Sequence, residues 1–169
     1  MIKFSKKAIV NANADKVWEV FAHGFNDAHK WMASVNHSFA QNNGESFEGS
    51  QSDGRVCELS ADGKGIKASE QFLAYSEENK TATVRIDFLN APAIFPVKFN
   101  TLEFSIIDLE SGKSEMTWKF RSDIKVFGYL LWPLLRVGFG VFIGQIADEL
   151  KFYVENGTPH PRKIKAMKK

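Results

Sequence analysis

With 169 residues, the chain is long enough to fold as one domain around a hydrophobic core. Hydrophobic residues make up 44% of it and charged residues 25%, as is typical of soluble globular proteins. The net charge is only +2, so the sequence lacks the strongly basic balance of nucleic-acid-binding proteins, and we expect no nucleic-acid partner.

Cysteine content and the N-terminal residues indicate the cellular compartment. Cys57 is the single cysteine, which excludes a disulfide within the chain. The first ten residues, MIKFSKKAIV, lack the apolar segment of a signal peptide. We therefore expect a cytoplasmic protein.

The N-terminal part of the chain predicts a strand followed by two short helices. Residues 2–10 alternate as a strand does, and Asn13 or Asp15 can cap a helix that follows. The helical stretch covers residues 14–32, and Gly24 divides it into two.

Six further segments are predicted as strands. They alternate between apolar and polar residues and are separated by polar, Gly- or Pro-containing connections. An antiparallel sheet built this way has one apolar face that another element must cover. The segments are residues 34–41, 55–60, 66–75, 81–89, 97–109 and 114–124.

The C-terminal apolar segment predicts the helix that covers this sheet. Residues 126–147 are long enough to cross a membrane, but Arg136 lies in the middle of the segment, where a charge is costly in hydrocarbon. We interpret residues 133–156 as an amphipathic helix that packs on the sheet and ends at Gly157. Its predicted buried stripe is Leu135, Phe139, Phe142, Ile146, Leu150 and Tyr153.

Three glycines within this helix suggest a gap beneath it. Gly138, Gly140 and Gly144 each cost roughly 1 kcal/mol relative to alanine in a helix interior. Their presence indicates either a close approach of the backbone or room for a ligand.

Three local motifs resemble a known superfamily. They are ANADKVWEVF at residues 12–21, WMASVNHS at 31–38 and SEQFLAYSEEN at 69–79. Together with the element order they resemble the START-like, or SRPBCC, superfamily over residues 2–156, and most closely its bacterial polyketide cyclase/dehydrase-like group. Two positions depart from the usual pattern of the third motif, with Phe72 in place of Leu and Ser76 in place of Asp.

The resemblance implies an α+β helix-grip fold. In that fold a curved antiparallel sheet of about seven strands wraps around a long C-terminal helix, and two short helices follow the first strand. Residues 1–156 would form a single START-like domain. Residues 157–169 would be a basic, flexible tail, with Arg162, Lys163, Lys165, Lys168 and Lys169 as its cations.

The fold places a cavity between the sheet and the helix, and we expect it to bind an apolar small molecule such as a lipid, a polyketide or an aromatic compound. No cofactor or metal is expected, because no cofactor or metal-binding motif is present. A solid aromatic core is the alternative use of the same side chains. The expected ligand-binding residues are Trp18, Trp31, His37, Phe72, Ile86, Phe88, Phe104, Trp118, Phe120, Phe139 and Phe142.

An enzyme is a second hypothesis, with Arg55 and Glu70 as the candidate catalytic residues. They lie on strands expected to be neighbours, and an inward pair could polarise a carbonyl oxygen and move a proton. The superfamily includes lachrymatory factor synthase, an isomerase that uses an arginine and a glutamate in comparable strands. The reaction could be that of a cyclase, a dehydratase or an isomerase. The alternative to catalysis is a cross-strand salt bridge without a catalytic role.

A peripheral membrane protein is a third hypothesis. Residues 129–132 (YLLW), just before the long helix, and the basic tail would make a weak contact with a lipid surface. The oligomeric state is left open by the sequence.

Overall fold

The computed structural model describes residues 1–168 and begins with the predicted strand and two short helices. Strand β1 is Ile2–Val10, helix α1 is Ala14–Trp18 and helix α2 is Ala28–Trp31. Asn13 caps α1, because its side chain accepts a hydrogen bond from the backbone N–H of Lys16. A π-helical turn then leads to Gly24, where the first helical segment ends as predicted.

Six more strands complete a seven-stranded antiparallel sheet. Its order is β1-β7-β6-β5-β4-β3-β2, so β1 and β2 are the two edges, and α1 and α2 connect them. The predicted fold class is confirmed. The strands are β2 His37–Gln41, β3 Gly54–Glu58, β4 Lys67–Ser76, β5 Thr81–Leu89, β6 Val97–Leu109 and β7 Lys113–Ile124.

The register of the sheet aligns the apolar rows on one face. Ala82 pairs with Phe104, and Phe104 pairs with Trp118. All three are buried, as are Val84, Leu102 and Phe120 in the next positions of the same rows. The concave face of the curved sheet therefore carries the core.

The long helix α3, Trp132–Asn156, follows a 3₁₀ stretch at Val126–Leu131. It ends at Gly157, whose φ of 68° is the left-handed conformation that glycine adopts without strain at a helix C-terminus. Its second half closes the core on the sheet. Ile143, Ile146, Leu150 and Val154 are buried there.

The predicted stripe faces the core along most of α3. Ile146 and Leu150 are buried, and Leu135, Phe139 and Tyr153 are partly buried against the core. Phe142 is the exception, with 40% of its surface exposed. Gly140 faces Phe4 at 3.5 Å, whereas Gly138 and Gly144 face open space.

The basic tail is partly folded, which differs from the flexible end expected for residues 157–169. Pro161–Ala166 forms helix α4, capped by His160. Arg162 Nε donates to Glu149 Oε1 at 2.9 Å, and Lys163 Nζ donates to the carbonyl of Val35 at 2.6 Å. The contacts explain the difference, since buried Glu149 needs a cationic partner. Lys169 lies outside the described residues.

Candidate functional site

A cavity of about 80 Å³ lies between the concave face of the sheet and the second half of α3. Most of its wall is apolar, with the charged pair Arg55 and Glu70 on one side. Eight residues that the sequence singled out line it. They are Trp31, Arg55, Glu70, Ile86, Phe88, Trp118, Phe120 and Phe142.

Three other predicted lining residues fill the core instead. Trp18 is fully buried, and its Nε1 donates to Glu77 Oε2 at 2.8 Å. Phe104 stacks on Phe21 with ring centroids 3.7 Å apart. Phe72 is buried in the same aromatic cluster. The aromatic residues thus divide into a packed group near α1 and a lining group under α3.

His37 and Phe139 also lie away from the cavity. The side chain of His37 is exposed on edge strand β2, where no core element covers it. Phe139 packs with a small cluster around Ile2, Val97 and Ile124, at the first half of α3.

Several lining residues were missed by the sequence reading. Two of them are polar, Ser34 and Asn100. Asn100 is 4% exposed and pairs with Ile86 across β5 and β6. Its position two residues before Leu102 places it in the inward row of β6, so a polar residue in an apolar row was the available signal. The other missed lining residues are Phe21, Met32, Ser34, Val35, Leu59, Ala68, Leu102, Ile143 and Ile146.

Arg55 and Glu70 are direct register partners on β3 and β4, as the sequence predicted for neighbouring strands. Arg55 Nε donates to Glu70 Oε2 at 2.9 Å, and Nη2 lies 2.7 Å from the same oxygen. Nη1 donates to the carbonyl of Phe25, and the guanidinium lies 4.0 Å above the Phe25 ring. Both side chains are buried and face the cavity.

The electrostatics keep Arg55 charged. Burial lowers the pKa of Arg55, but the Glu70 carboxylate outweighs burial and the net shift is upward. Removal of either partner from a buried ion pair leaves a costly unpaired charge in the interior. The Arg55–Glu70 pair therefore forms a charged region in an otherwise apolar cavity wall.

Cys57, next to this pair on β3, is not a nucleophile. Its side chain is fully buried, and burial raises the pKa of the thiol to about 12. The thiol therefore stays protonated at neutral pH, and only the thiolate is reactive.

Three buried polar atoms of lining residues have no hydrogen-bond partner among residues 1–168. They are the indole N–H groups of Trp31 and Trp118 and the amide oxygen of Asn100. An unsatisfied buried polar group costs about 1–3 kcal/mol. Residues that line the cavity therefore carry two donors and one acceptor that no other described residue uses.

Metal binding finds no support in the described part of the chain. No group of three or more His, Cys, Asp or Glu side chains comes together there in a way that could hold an ion.

The whole-chain comparison places these features in a family. The sequence profile described as "Polyketide cyclase / dehydrase and lipid transport" matches residues 1–155. The chain therefore belongs to this family, and the superfamily resemblance of its motifs is confirmed. No curated protein gives a significant sequence match.

Solved structures share the fold at low sequence identity. A START superfamily protein from Mycobacterium smegmatis is 14% identical, with a TM-score of 0.71 over 92% of this chain and 99% of that one. The protein XoxI from Bacillus cereus is 18% identical, with a TM-score of 0.64 over 93% and 95%. Truncated norcoclaurine synthase from Thalictrum flavum is 14% identical, with a TM-score of 0.64 over 91% and 93%. At these identities the comparison concerns the fold alone.

Proposed function

We propose that the protein binds a largely apolar small molecule, such as a lipid, a polyketide or an aromatic compound, that carries one polar group. The observation that supports this most is the set of unpartnered polar atoms on Trp31, Asn100 and Trp118 within an aromatic wall. A carbonyl or carboxyl oxygen of the ligand would accept from the indoles, and a hydroxyl would donate to Asn100.

The size of the cavity sets a condition on this proposal. Sites for drug-sized ligands usually enclose roughly 300–1,000 Å³, far more than the 80 Å³ beneath α3. Phe142 lines both this cavity and an outer apolar groove of about 490 Å³ along the first half of α3. We therefore propose that a rotation of Phe142 joins the two spaces when a larger ligand binds.

Native mass spectrometry of the purified protein, followed by fluorescence titration, tests this function. The titration panel is a long-chain fatty acid, an aromatic ketone and the dye anilinonaphthalene sulfonate. Ala68→Phe places a ring in the cavity and is expected to weaken binding about tenfold or more. Ala74→Phe is the matched control, because Ala74 is exposed on the same strand. Binding of nothing in the panel, or equal binding by Ala68→Phe, would contradict the proposal.

A second candidate function is a cyclase, dehydratase or isomerase acting in the same cavity. The inward position of Arg55 and Glu70 favours it, because the carboxylate could take a proton from a carbon next to a ligand carbonyl. All three guanidinium nitrogens of Arg55 already contact Glu70 or Phe25, which ranks this function below simple binding.

Proton exchange on a bound ketone separates the two candidates. An enzyme of this kind is expected to exchange the α-protons of an enolisable aromatic ketone for deuterium, as followed by NMR. Glu70→Asp keeps the charge but withdraws the carboxylate, so it would slow exchange while the ketone still binds. If exchange in the wild type equals the rate in buffer, the catalytic hypothesis is wrong.

A further inference from the structure

The first half of α3 and the turn before it expose a row of large apolar side chains. Leu130 is 86% exposed, Leu134 71%, Val137 68% and Val141 56%. Their spacing of four, three and four residues places them on one side of a helix. We call these four residues the outer stripe. Only 11% of the most apolar part of this helical run is buried, so the helix that covers the core also presents an uncovered apolar side.

A neighbouring loop extends this surface. Residues 90–96 connect β5 and β6, and Ile94 within it is 79% exposed. The loop is held against the turn, because the backbone N–H of Lys125 donates to the carbonyl of Pro96 at 2.8 Å. The loop and the outer stripe border the apolar groove, whose wall includes Phe95, Pro96, Leu134 and Val137.

The two chain segments that carry this surface have charges of one sign only. Residues 88–102 and 124–147, which build it, contain no acidic residue, although the chain has 20. The same two segments carry Lys98 and Arg136, which are exposed, and Lys125, which is partly exposed. An apolar surface with cations and no acids matches the chemistry of an anionic lipid surface.

We propose that the outer stripe and the loop at residues 90–96 dock on the surface of an anionic lipid bilayer. The apolar side chains enter the headgroup region, and the surrounding cations meet lipid phosphates and carboxylates. This docking surface does not use the basic tail, because Arg162 and Lys163 are bound to the body of the protein.

The helix lies on the bilayer rather than crossing it. The mostly exposed part of α3, residues 132–142, spans roughly 16 Å at 1.5 Å per residue, whereas the hydrocarbon core is about 30 Å thick. The second half of α3 packs in the core. Glu149 within it accepts hydrogen bonds from Arg162 and from the backbone N–H of Ala33.

A second copy of the chain fits this surface less well than a bilayer does. A twofold interface places the same patch of both copies face to face. The interface would then hold the cations Lys98, Lys125 and Arg136 of both copies, and neither segment offers an acid to neutralise them.

The docking surface adjoins the cavity through Phe142, which lines both the groove and the cavity. An apolar ligand would thus pass between bilayer and cavity without crossing water. This step rests on the proposed function, whereas the docking itself does not.

Sedimentation of the full chain with lipid vesicles tests the docking. The probes are phosphatidylcholine vesicles with and without about 30% phosphatidylglycerol. We expect binding to the anionic vesicles that falls about tenfold as salt rises from ~0.1 M to ~0.5 M. The double variant Leu134→Glu/Val137→Glu is expected to lose about tenfold or more of this binding.

The matched control is Leu73→Glu/Ile107→Glu. It places the same charges at apolar residues of strands β4 and β6 that are 52% and 56% exposed. It is expected to sediment with the vesicles like the wild type. Circular dichroism checks that both variants are folded. The triple variant Lys98→Gln/Lys125→Gln/Arg136→Gln should lose the preference for anionic vesicles.

Three results would overturn the inference: no sedimentation of the wild type, no loss in the stripe variant, or an equal loss in the control. A doubled mass by light scattering without vesicle binding would assign the surface to a second copy and also overturn it. Dye binding by the wild type is measured in parallel, so that failure of docking and failure of the proposed function are distinguished.

Discussion

Glu77 ties the end of strand β4 to helix α1 at the level of single atoms. Its Oε2 accepts from Trp18 Nε1 at 2.8 Å and from the hydroxyl of Tyr75 at 2.9 Å, and it lies 3.0 Å from His23 Nε2. Lys80 donates to Oε1. Partial burial raises the pKa of Glu77, but these four hydrogen bonds outweigh burial and hold the pKa at about 2.

This depressed pKa predicts a loss of stability in acid. The folded pKa lies below the unfolded value of 4.5, so the contribution of Glu77 is fully present above pH 4.5 and is lost as the pH falls towards 2. Glu77→Gln should lower the free energy of unfolding at pH 7 by about 1 kcal/mol, a modest value because the side chain is partly exposed. Urea unfolding between pH 3 and pH 7 measures both effects.

Glu78→Gln is the control for this prediction, because Glu78 is exposed and follows Glu77 directly. It should leave the pH dependence unchanged. If Glu77→Gln and the wild type lose stability in parallel below pH 4.5, the role assigned to Glu77 is wrong.

At the scale of elements, helix α4 is held to α3 by one cation. Arg162 Nε donates to Glu149, which is 2% exposed, and Nη2 donates to the carbonyl of Gln145 at 3.1 Å. Arg162→Ala leaves the buried carboxylate with the backbone N–H of Ala33 as its remaining hydrogen-bond donor. We expect destabilisation by about 1–3 kcal/mol and faster hydrogen exchange in residues 160–168. Hydrogen exchange measured by mass spectrometry checks this prediction, and Lys165→Ala, a change at an exposed residue, is the control. Unchanged exchange in Arg162→Ala would contradict the prediction.

The elements also show where sequence patterns are informative. Strands β5 and β6 begin and end where alternation predicted, since one apolar face leaves a clear period of two. For α3, the end at Gly157 and most of the inward side were predicted, whereas the 40% exposure of Phe142 was not. The folded tail was not predicted, because it depends on the contact between Arg162 and Glu149. That contact stabilises the tail because Glu149 is buried, which the sequence pattern does not show.

At the scale of the whole molecule, Phe142 separates the inner cavity from the outer groove. It is 40% exposed and lines both spaces. Phe142→Ala should therefore raise the association and dissociation rates of anilinonaphthalene sulfonate about tenfold each, with a smaller change in affinity. Stopped-flow fluorescence measures the rates.

Val141→Ala is the matched control for this kinetic prediction, since Val141 is exposed next to Phe142 and does not line the cavity. Rates that change equally in both variants would show that the ligand enters elsewhere.

The cytoplasmic location expected from the N-terminal residues stays a prediction.

The sequence by itself determined the strands, the short helices, the end of α3 and the cross-strand neighbours Arg55 and Glu70, because periodicity and capping are local. Only the tertiary structure decided which aromatic side chains fill the core and which line a cavity. It also decided that Asn100 and the indoles of Trp31 and Trp118 lack partners, and that half of α3 is uncovered. The physical reason is that periodicity reports which residues share a face, whereas packing between distant segments decides what covers that face.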